Sequence, residues 1–475
     1  SKGCWKLKKY EQYKRVIKFS FSFIIVFLEI LIYWYVWIGY YNKIIEFPFW
    51  RRGNWLMVAL YAVLLIFFLR TYGGFKIGYL KRGNLIRSQV LSLLFVNTIT
   101  YIQISLLDKK FHDMRMILTM SAVQVVAVIL WAYIFQWLYQ KMFPPKRLLL
   151  IYGDRPAFHL MEKINSREDK YYLSGAIHIN CGNDKIIETA ESYDAVIIGD
   201  VPAHERNLLM KEFFNRSVRT YTVPKISDIL IRTSSDLDIF DSPLLLSRNE
   251  GLQIEQKLVK RLMDIVFAGI GLIITLPFFL IIALCIKVTD RGPVFYKQKR
   301  LTKDGKVFDI YKFRTMIQNA EKHTGARLAS AEDDRILPVG RMLRRIRLDE
   351  LPQLWNILIG DMSLVGPRPE RPELAEKIEE TIPEFSYRLK VKAGLTGYAQ
   401  VFGKYNTTSY DKLKLDLTYI QNYSIWLDLK LMLMTPKIML MKESTEGIKE
   451  DEFGSNELAL TKDLIKEGEV WKAEK

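Results

Sequence analysis

Cysteine is scarce in this chain. Its 475 residues include three, Cys4, Cys181 and Cys285, far apart and without a CxxC spacing, so neither a disulfide framework nor a zinc module is supported. Five scattered histidines argue equally against a histidine-based metal site. Acidic residues are in deficit: Asp+Glu 52 against Lys+Arg 69 leaves a formal net charge of +17, and the pI is near 9.4. That balance favours anionic partners, whether lipid headgroups, phosphorylated metabolites or nucleic acid. No nucleic-acid motif accompanies the charge, and the basic residues cluster beside apolar segments, so no nucleic-acid partner is expected. Apolar residues, by contrast, are plentiful at 49%, with aromatics at 13% and a mean hydropathy of +0.03. Global disorder is excluded, and several long apolar runs place the chain among membrane proteins. The length suggests about three folded units.

Residues 1–145 read as a transmembrane four-helix region. Its apolar stretches are Phe19–Tyr40, Asn54–Leu69, Ser88–Leu107 and Met116–Gln140. Three are long enough for a hydrocarbon core about 30 Å thick, and the second is short. Trp34, Trp37, Trp55, Tyr101, Trp131, Trp137 and Tyr139 lie near the ends, where rings favour headgroup level. The first stretch is too long and aromatic for a secretory signal, and no small-residue cleavage site follows it. Lys and Arg are dense in the leader and in the second loop (Arg70, Lys76, Lys81, Arg82, Arg87) and sparser in the first and third. The bias predicts an in–out–in–out–in path, with everything after Tyr139 in the cytoplasm. Glu29 inside the first span marks either a polar pathway or one packed carboxylate.

Residues 146–250 read as a Rossmann-like α/β domain. Strands are expected at Leu148–Tyr152, Tyr172–Ile179, Ala195–Ile198 and Val218–Val223, with helical patterns between them, notably Ala203–Phe214. The first turn, Tyr152-Gly153-Asp154-Arg155-Pro156, lacks the GxGxxG that lets a backbone approach a pyrophosphate, so a structural or regulatory role is favoured over nucleotide binding. Leu230–Glu250 reads as a polar connector.

Met263–Ile286 is long and apolar, contains Pro277, and is basic on both flanks. A crossing would leave one positive flank outside, and the proline disrupts a helical turn, so a segment that enters and returns is favoured over a kinked span. Between Lys287 and Arg347 there are sixteen Lys/Arg and seven Asp/Glu. An ordered run follows, Arg344-Arg345-Ile346-Arg347-Leu348-Asp349-Glu350-Leu351-Pro352-Gln353, placing two adjacent carboxylates in a cationic field. Adjacent helical residues point about 100° apart, so Asp349 and Glu350 need not share one role: one suits a nucleophile, the other a divalent-ion ligand. In Gly360–Pro369, Pro367 and Pro369 fix the backbone around Arg368 and aim its guanidinium for bidentate phosphate recognition. Ala393-Gly394-Leu395-Thr396-Gly397-Tyr398-Ala399-Gln400 offers amides and a hydroxyl, with Thr396, Gly397 and Gln400 as candidates for cradling phosphate or uracil.

Lys312-Phe313-Arg314-Thr315-Met316, Leu348–Gln353, Gly360–Pro369 and Gly394–Gln400, in that order, resemble the bacterial sugar transferases, the polyprenyl-phosphate hexose-1-phosphate transferases or monotopic phosphoglycosyl transferases. The resemblance covers roughly Lys257 to Lys442 and departs at Ala393 and Tyr398, where the family usually has proline and tryptophan. Large members also carry four N-terminal spans and a Rossmann-like insert. The resemblance therefore implies a catalytic α/β domain at 251–447 with a re-entrant helix at 263–286. It further implies transfer of a hexose 1-phosphate from a UDP-sugar to undecaprenyl phosphate, with release of UMP, at the bacterial cytoplasmic membrane, initiating exopolysaccharide or capsule synthesis. By resemblance Asp349 is the nucleophile, giving an aspartyl phosphosugar, and Glu350 ligates Mg²⁺. Lys312, Arg314, Arg344 and Arg368 neutralise phosphate charge, Asp416 supports the site, and a homodimer is implied. Trp426–Met441 reads as an interfacial helix or as part of the core. The tail from Glu443 is charged and expected to be mobile, with 448–475 as the last segment. A membrane scaffold or sensor and a small-substrate transporter are the rival readings, and neither needs the Asp349-Glu350 pair.

Overall fold

The computed structural model describes residues 11–153, 158–165, 167–237, 241–242, 244–247, 251–317, 335–403, 407–439, 464–467 and 470–473. The chain forms two compact units, Ser1–Val223 with Gly454–Lys475, and Pro224–Phe453. The boundary expected at 250/251 therefore falls inside the second unit.

In the first unit, four long apolar helices pack on one another: Lys14–Val36 with a π-helical continuation Trp37–Tyr41, Arg51–Tyr72, Arg82–Leu107 and Arg115–Met142. The second is 22 residues long, about 33 Å at 1.5 Å per residue, because turns carrying Arg51 and Arg52 at one end and Arg70 at the other flank its short apolar run. Phe19, Phe23, Phe27 and Leu31, four residues apart, form an exposed apolar stripe, as lipid-facing positions require. Inside, the Tyr33 and Tyr61 rings stack with centroids 4.0 Å apart. Buried polar groups pair with one another, since apolar surroundings penalise an unmade hydrogen bond. Tyr61 donates to Asn97 Oδ1 (3.0 Å), Asn97 Nδ2 donates to Gln124 Oε1 (2.8 Å), and Gln124 Nε2 donates to Tyr61 Oη (2.8 Å). Glu29 is buried here, its carboxylate without a hydrogen-bond partner among the described residues.

The α/β part of this unit has strands β1 (Lys146–Tyr152), β2 (Tyr171–His178), β3 (Ala195–Ile198) and β4 (Thr220–Thr222), parallel, in the order β2-β1-β3-β4. Side chains alternate along β1: Leu149 and Ile151 pack on Leu209 and Phe213 on one face, Leu148 and Leu150 on Met161 and Ile164 on the other. Burial on both faces explains the continuous apolar run that made the strand readable. One correction concerns the tail. Leu464–Glu467 and Val470–Ala473 form an antiparallel hairpin whose second strand pairs with β2, covering that edge of the sheet; residues 440–463 lie outside the described residues.

In the second unit, a helix, Ile226–Arg232, runs into the expected connector Leu230–Glu250, which holds an antiparallel strand pair, β5 (Ser235–Leu237) with β6 (Leu244–Leu246). A 37-residue helix, Ile254–Asp290, contains Pro277. An antiparallel pair follows, β7 (Phe295–Leu301) with β8 (Val307–Phe313), then the helices Pro338–Arg345 and Gln353–Ile359 and a parallel pair, β9 (Ser363–Val365) with β10 (Gly394–Thr396). Helices Ser409–Gln421 and Ile425–Met439 close the core around Ile357, Met362, Leu413, Leu417 and Leu431. The last helix thus belongs mainly to the core, though Trp426 stands out from it, 77% exposed.

Candidate active site

Asp349 and Glu350 lie in a single 3₁₀ turn, Leu348–Glu350, between helices Pro338–Arg345 and Gln353–Ile359. Arg347 enters the turn with a left-handed backbone (φ 54°). A bulky residue held there costs on the order of 1 kcal/mol and persists only where its surroundings impose it. Pro352 starts the next helix, and Asn356, fully buried on it, accepts from the Tyr311 amide (3.0 Å) and donates to the Asp309 carbonyl (2.8 Å). Those two bonds fix β8 beside the turn, and the next residue, Lys312, reaches the carboxylates.

Glu350 Oε1 accepts from both Lys312 Nζ and Arg368 Nη2, each at 3.2 Å. Burial opposes its ionisation, but Lys312, Arg368 and Arg347 outweigh burial and hold the carboxyl far below the usual range. Asp349 shows the opposite balance. Burial raises it, Lys312 is the largest counterweight, Glu350 adds to the rise, and Arg344 and Arg368 oppose it. The Asp349 carboxylate has no hydrogen bond or ion pair among the described residues. Two neighbouring acids are thereby differentiated: one is clamped and anionic, the other uncommitted within a cationic field.

The Pro367-Arg368-Pro369 turn is held from behind by two arginines absent from the expected set. Arg300 Nη1 donates to the Pro369 carbonyl (3.1 Å), and Arg388 Nη2 donates to the Arg368 carbonyl (3.0 Å). Burial lowers Arg300 to about 10, and it stays a cation at neutral pH. Asp416, 1% exposed, accepts from Arg388 Nε at 2.9 Å, so it acts on Arg368 through Arg388. Burial raises the Asp416 carboxyl, with Arg388 opposing.

Not every expected residue converges on the pair. Arg314 is turned away: it is 5% exposed, donates to the Pro293 carbonyl (2.7 Å) and pairs with Asp290 at the end of the long helix. Arg344 Nε donates to Thr315 Oγ1 at 2.8 Å, with its charge still felt at Asp349. Thr396 shares a hydrogen bond with Thr435 (2.8 Å), and Gln400 Nε2 donates to the Leu395 carbonyl (3.1 Å). Gly397 precedes helix Tyr398–Phe402, and the loop packs on the Gly366-Pro367 turn. A β-carbon on Gly394 would lie 2.0 Å from the Gly366 amide nitrogen, so this approach demands glycine. The loop meets the Arg368 turn rather than either carboxylate.

For a divalent ion, Glu350 Oε2 is the hard anionic donor left after Lys312 and Arg368 engage Oε1, and Asp349 is adjacent. No cluster of three or more His, Cys, Asp or Glu occurs among the described residues. One or two carboxylates plus substrate phosphates is the usual donor set for Mg²⁺, and the residues present fit that mode.

A bacterial sugar transferase family model matches residues 255–442, which contain the whole site. A putative undecaprenyl-phosphate N-acetylgalactosaminyl 1-phosphate transferase of Bacillus subtilis is 50% identical over 131 residues, 28% of this chain and 73% of that protein. The chain belongs to the bacterial sugar transferase family. Two longer family members are also similar. A UDP-N-acetylgalactosamine-undecaprenyl-phosphate N-acetylgalactosaminephosphotransferase of Aeromonas hydrophila is 42% identical over 185 residues, 38% of this chain and 44% of that protein. A UDP-glucose:undecaprenyl-phosphate glucose-1-phosphate transferase of Klebsiella pneumoniae is 35% identical over 259 residues, 53% of each. The match spans about half the length of those two relatives.

Proposed function

We propose that this protein transfers a hexose 1-phosphate from a UDP-sugar to undecaprenyl phosphate, releasing UMP and initiating a surface polysaccharide. The observation that carries the reading is the differentiated carboxylate pair. An Asp349 oxygen attacks the sugar-side phosphorus of the donor, the bond from that phosphorus to the bridging oxygen breaks, and UMP leaves with the bridging oxygen. An oxygen of undecaprenyl phosphate then attacks the aspartyl phosphosugar, forming the diphosphate and freeing Asp349. Lys312 and Arg368 are placed to offset charge on the phosphates, and Arg344 adds to the field. Mg²⁺ held at Glu350 would supply Lewis-acid neutralisation of the diphosphate. Two half-reactions let a soluble donor and a lipid acceptor use one nucleophile in turn.

The long helix supports a membrane-surface location. Before Pro277, Lys260 pairs with Asp428, Arg261 donates to the Ile357 and Leu358 carbonyls (2.7 Å each), and Asp264 accepts from the Leu364 amide (2.9 Å). After it, Phe279 meets Phe313 with centroids 5.0 Å apart, and Ile286 is buried in the same cluster. Both ends hold the same unit, while Ile270, Ile273, Ile274 and Leu276 between them are exposed. A helix anchored this way enters one leaflet and returns, keeping the catalytic unit on the cytoplasmic face that the basic loops favour. Cysteine-accessibility labelling at residues 250 and 300 is expected to place both on one face; opposite faces would reject re-entry.

The chemistry is tested with UDP-glucose, UDP-galactose and UDP-N-acetylgalactosamine carrying ³²P in the sugar phosphate. With the productive donor the polypeptide becomes labelled, undecaprenyl phosphate discharges the label, and Asp349→Asn abolishes it while the protein stays folded. Labelling retained by that variant would overturn the assignment.

A further inference from the structure

In the first unit, away from the residues assigned to transfer, a cavity of about 470 Å³ opens where helices Arg82–Leu107 and Arg115–Met142 meet the segment leading into β2. Its volume suits a small polar ligand. Lys81, Arg82, Gln136, Gln140, Glu168 and Asp169 line it. Three features point to what it binds. First, it contains the N-terminus of the 26-residue helix Arg82–Leu107, which has no side-chain cap and no acidic residue in its first turn. Free amides, the helix dipole and two flanking cations make an anion site. Second, Gln136 is 4% exposed, and its Oε1 lacks a hydrogen-bond partner among the described residues, as does Arg82 Nε. A buried amide left unmade costs free energy that a ligand hydroxyl or ammonium would recover. Third, the lining contributed by the segment before β2 is acidic. Asp169 is engaged by Arg167 in two bonds (2.9 and 3.0 Å), whereas Glu168 is exposed and has no ion pair among the described residues.

We propose that this cavity is a binding site for a zwitterionic phospholipid headgroup, a phosphodiester joined to a primary ammonium. The phosphate sits at the helix N-terminus between Lys81 and Arg82, the ammonium faces Glu168, and the Gln136 amide meets the ligand between them. A lipid, rather than a soluble phosphoamine, is favoured by the continuation of the wall. Tyr133, Gln136, Trp137 and Gln140 share one helix face at i, i+3, i+4 and i+7. Tyr133 and Trp137 are 54% and 58% exposed, and Arg82 lies over the Tyr133 ring at 4.6 Å. Such rings sit at headgroup level and guide acyl chains away from the polar cavity.

The site is tested on the full chain by native mass spectrometry, titrating phosphatidylethanolamine, phosphatidylglycerol and soluble glycerophosphoethanolamine. Wild type is expected to prefer phosphatidylethanolamine over phosphatidylglycerol about fivefold, the worth of about one surface charge, and to bind the soluble headgroup far more weakly. Glu168→Gln should erase that preference with phosphatidylglycerol binding retained, and Lys81→Gln with Arg82→Gln should weaken both lipids. Equal binding of both lipids by wild type, or an unchanged preference in Glu168→Gln, would overturn the proposal. Equally tight binding of the soluble headgroup would overturn the lipid assignment. Glu168 is exposed, so its variant remains informative if the double variant fails to fold. Each readout is binding alone, independent of sugar-phosphate transfer.

Discussion

Two sets of buried charge in the second unit have opposite designs. At Lys260, Asp428 and Tyr419 every group is closed on another: Lys260 pairs with Asp428, and the Tyr419 hydroxyl donates to Asp428 Oδ1 at 2.8 Å. Burial raises the Asp428 carboxyl, with Lys260 and Tyr419 opposing. At Asp349 and Glu350 the cations converge on one carboxylate and leave its neighbour open. A closed pair holds parts together; here it fastens the long helix to the helix Ile425–Met439. An open carboxylate in a positive field stores no scaffold energy but is ready to form a bond. The number of charges therefore does not distinguish the two sets, whereas the way the cations are shared between the carboxylates does.

The comparison breaks most sharply at Asp349. Asp349→Asn is expected to lower turnover by about 10⁴-fold with a Tm that does not fall, and rises if anything, because burial already disfavours that unpaired charge; steady-state kinetics and thermal unfolding check both halves. Lys260→Met should do the reverse, leaving Asp428 buried without its cation and costing about 3–5 kcal/mol of stability. Adding Asp428→Leu should recover much of the loss, and a Tm series over the single and double variants measures it.

Lys312 belongs to both descriptions, being partner to Glu350 and counterweight to Asp349. Lys312→Gln should reduce turnover by about 10²-fold. The proposed reaction needs Asp349 ionised, and removing its largest stabilising cation raises that carboxyl further. The acid limb of the pH–rate profile should therefore move to higher pH. A limb that moved down, or stayed fixed, would separate Lys312 from Asp349. The smallest effect is expected at Arg388. Arg388→Lys keeps a charge near Asp416 but cannot also hold the Arg368 carbonyl, so KM for the donor should rise by about tenfold with kcat less affected.

Much of this was legible in the chain because it depends on local pattern. β1 and β3 are continuous apolar runs, the four N-terminal helices are long apolar stretches, and the Asp349-Glu350 and Pro367-Arg368-Pro369 motifs are contiguous. What escaped depends on contacts across the sequence. Arg388 and Arg300 become site supports only because the fold brings them behind the Pro367–Pro369 turn, and nothing in Tyr387-Arg388-Leu389 announces it. Arg314 sits in the same short motif as Lys312, yet it lies just past the end of β8, where its side chain turns to the Pro293 carbonyl and Asp290. The C-terminal hairpin was masked by its charged setting: Leu464–Glu467 gains its place by pairing with Val470–Ala473 and, through that strand, with β2.

The central claim is that Asp349 is phosphoglycosylated before the lipid acceptor is engaged. Its most direct test is exchange of radiolabelled UMP into the UDP-sugar donor with no undecaprenyl phosphate present. The account predicts exchange in the wild type and its loss in Asp349→Asn. Exchange that appears only when acceptor is added, or that survives the substitution, would contradict it.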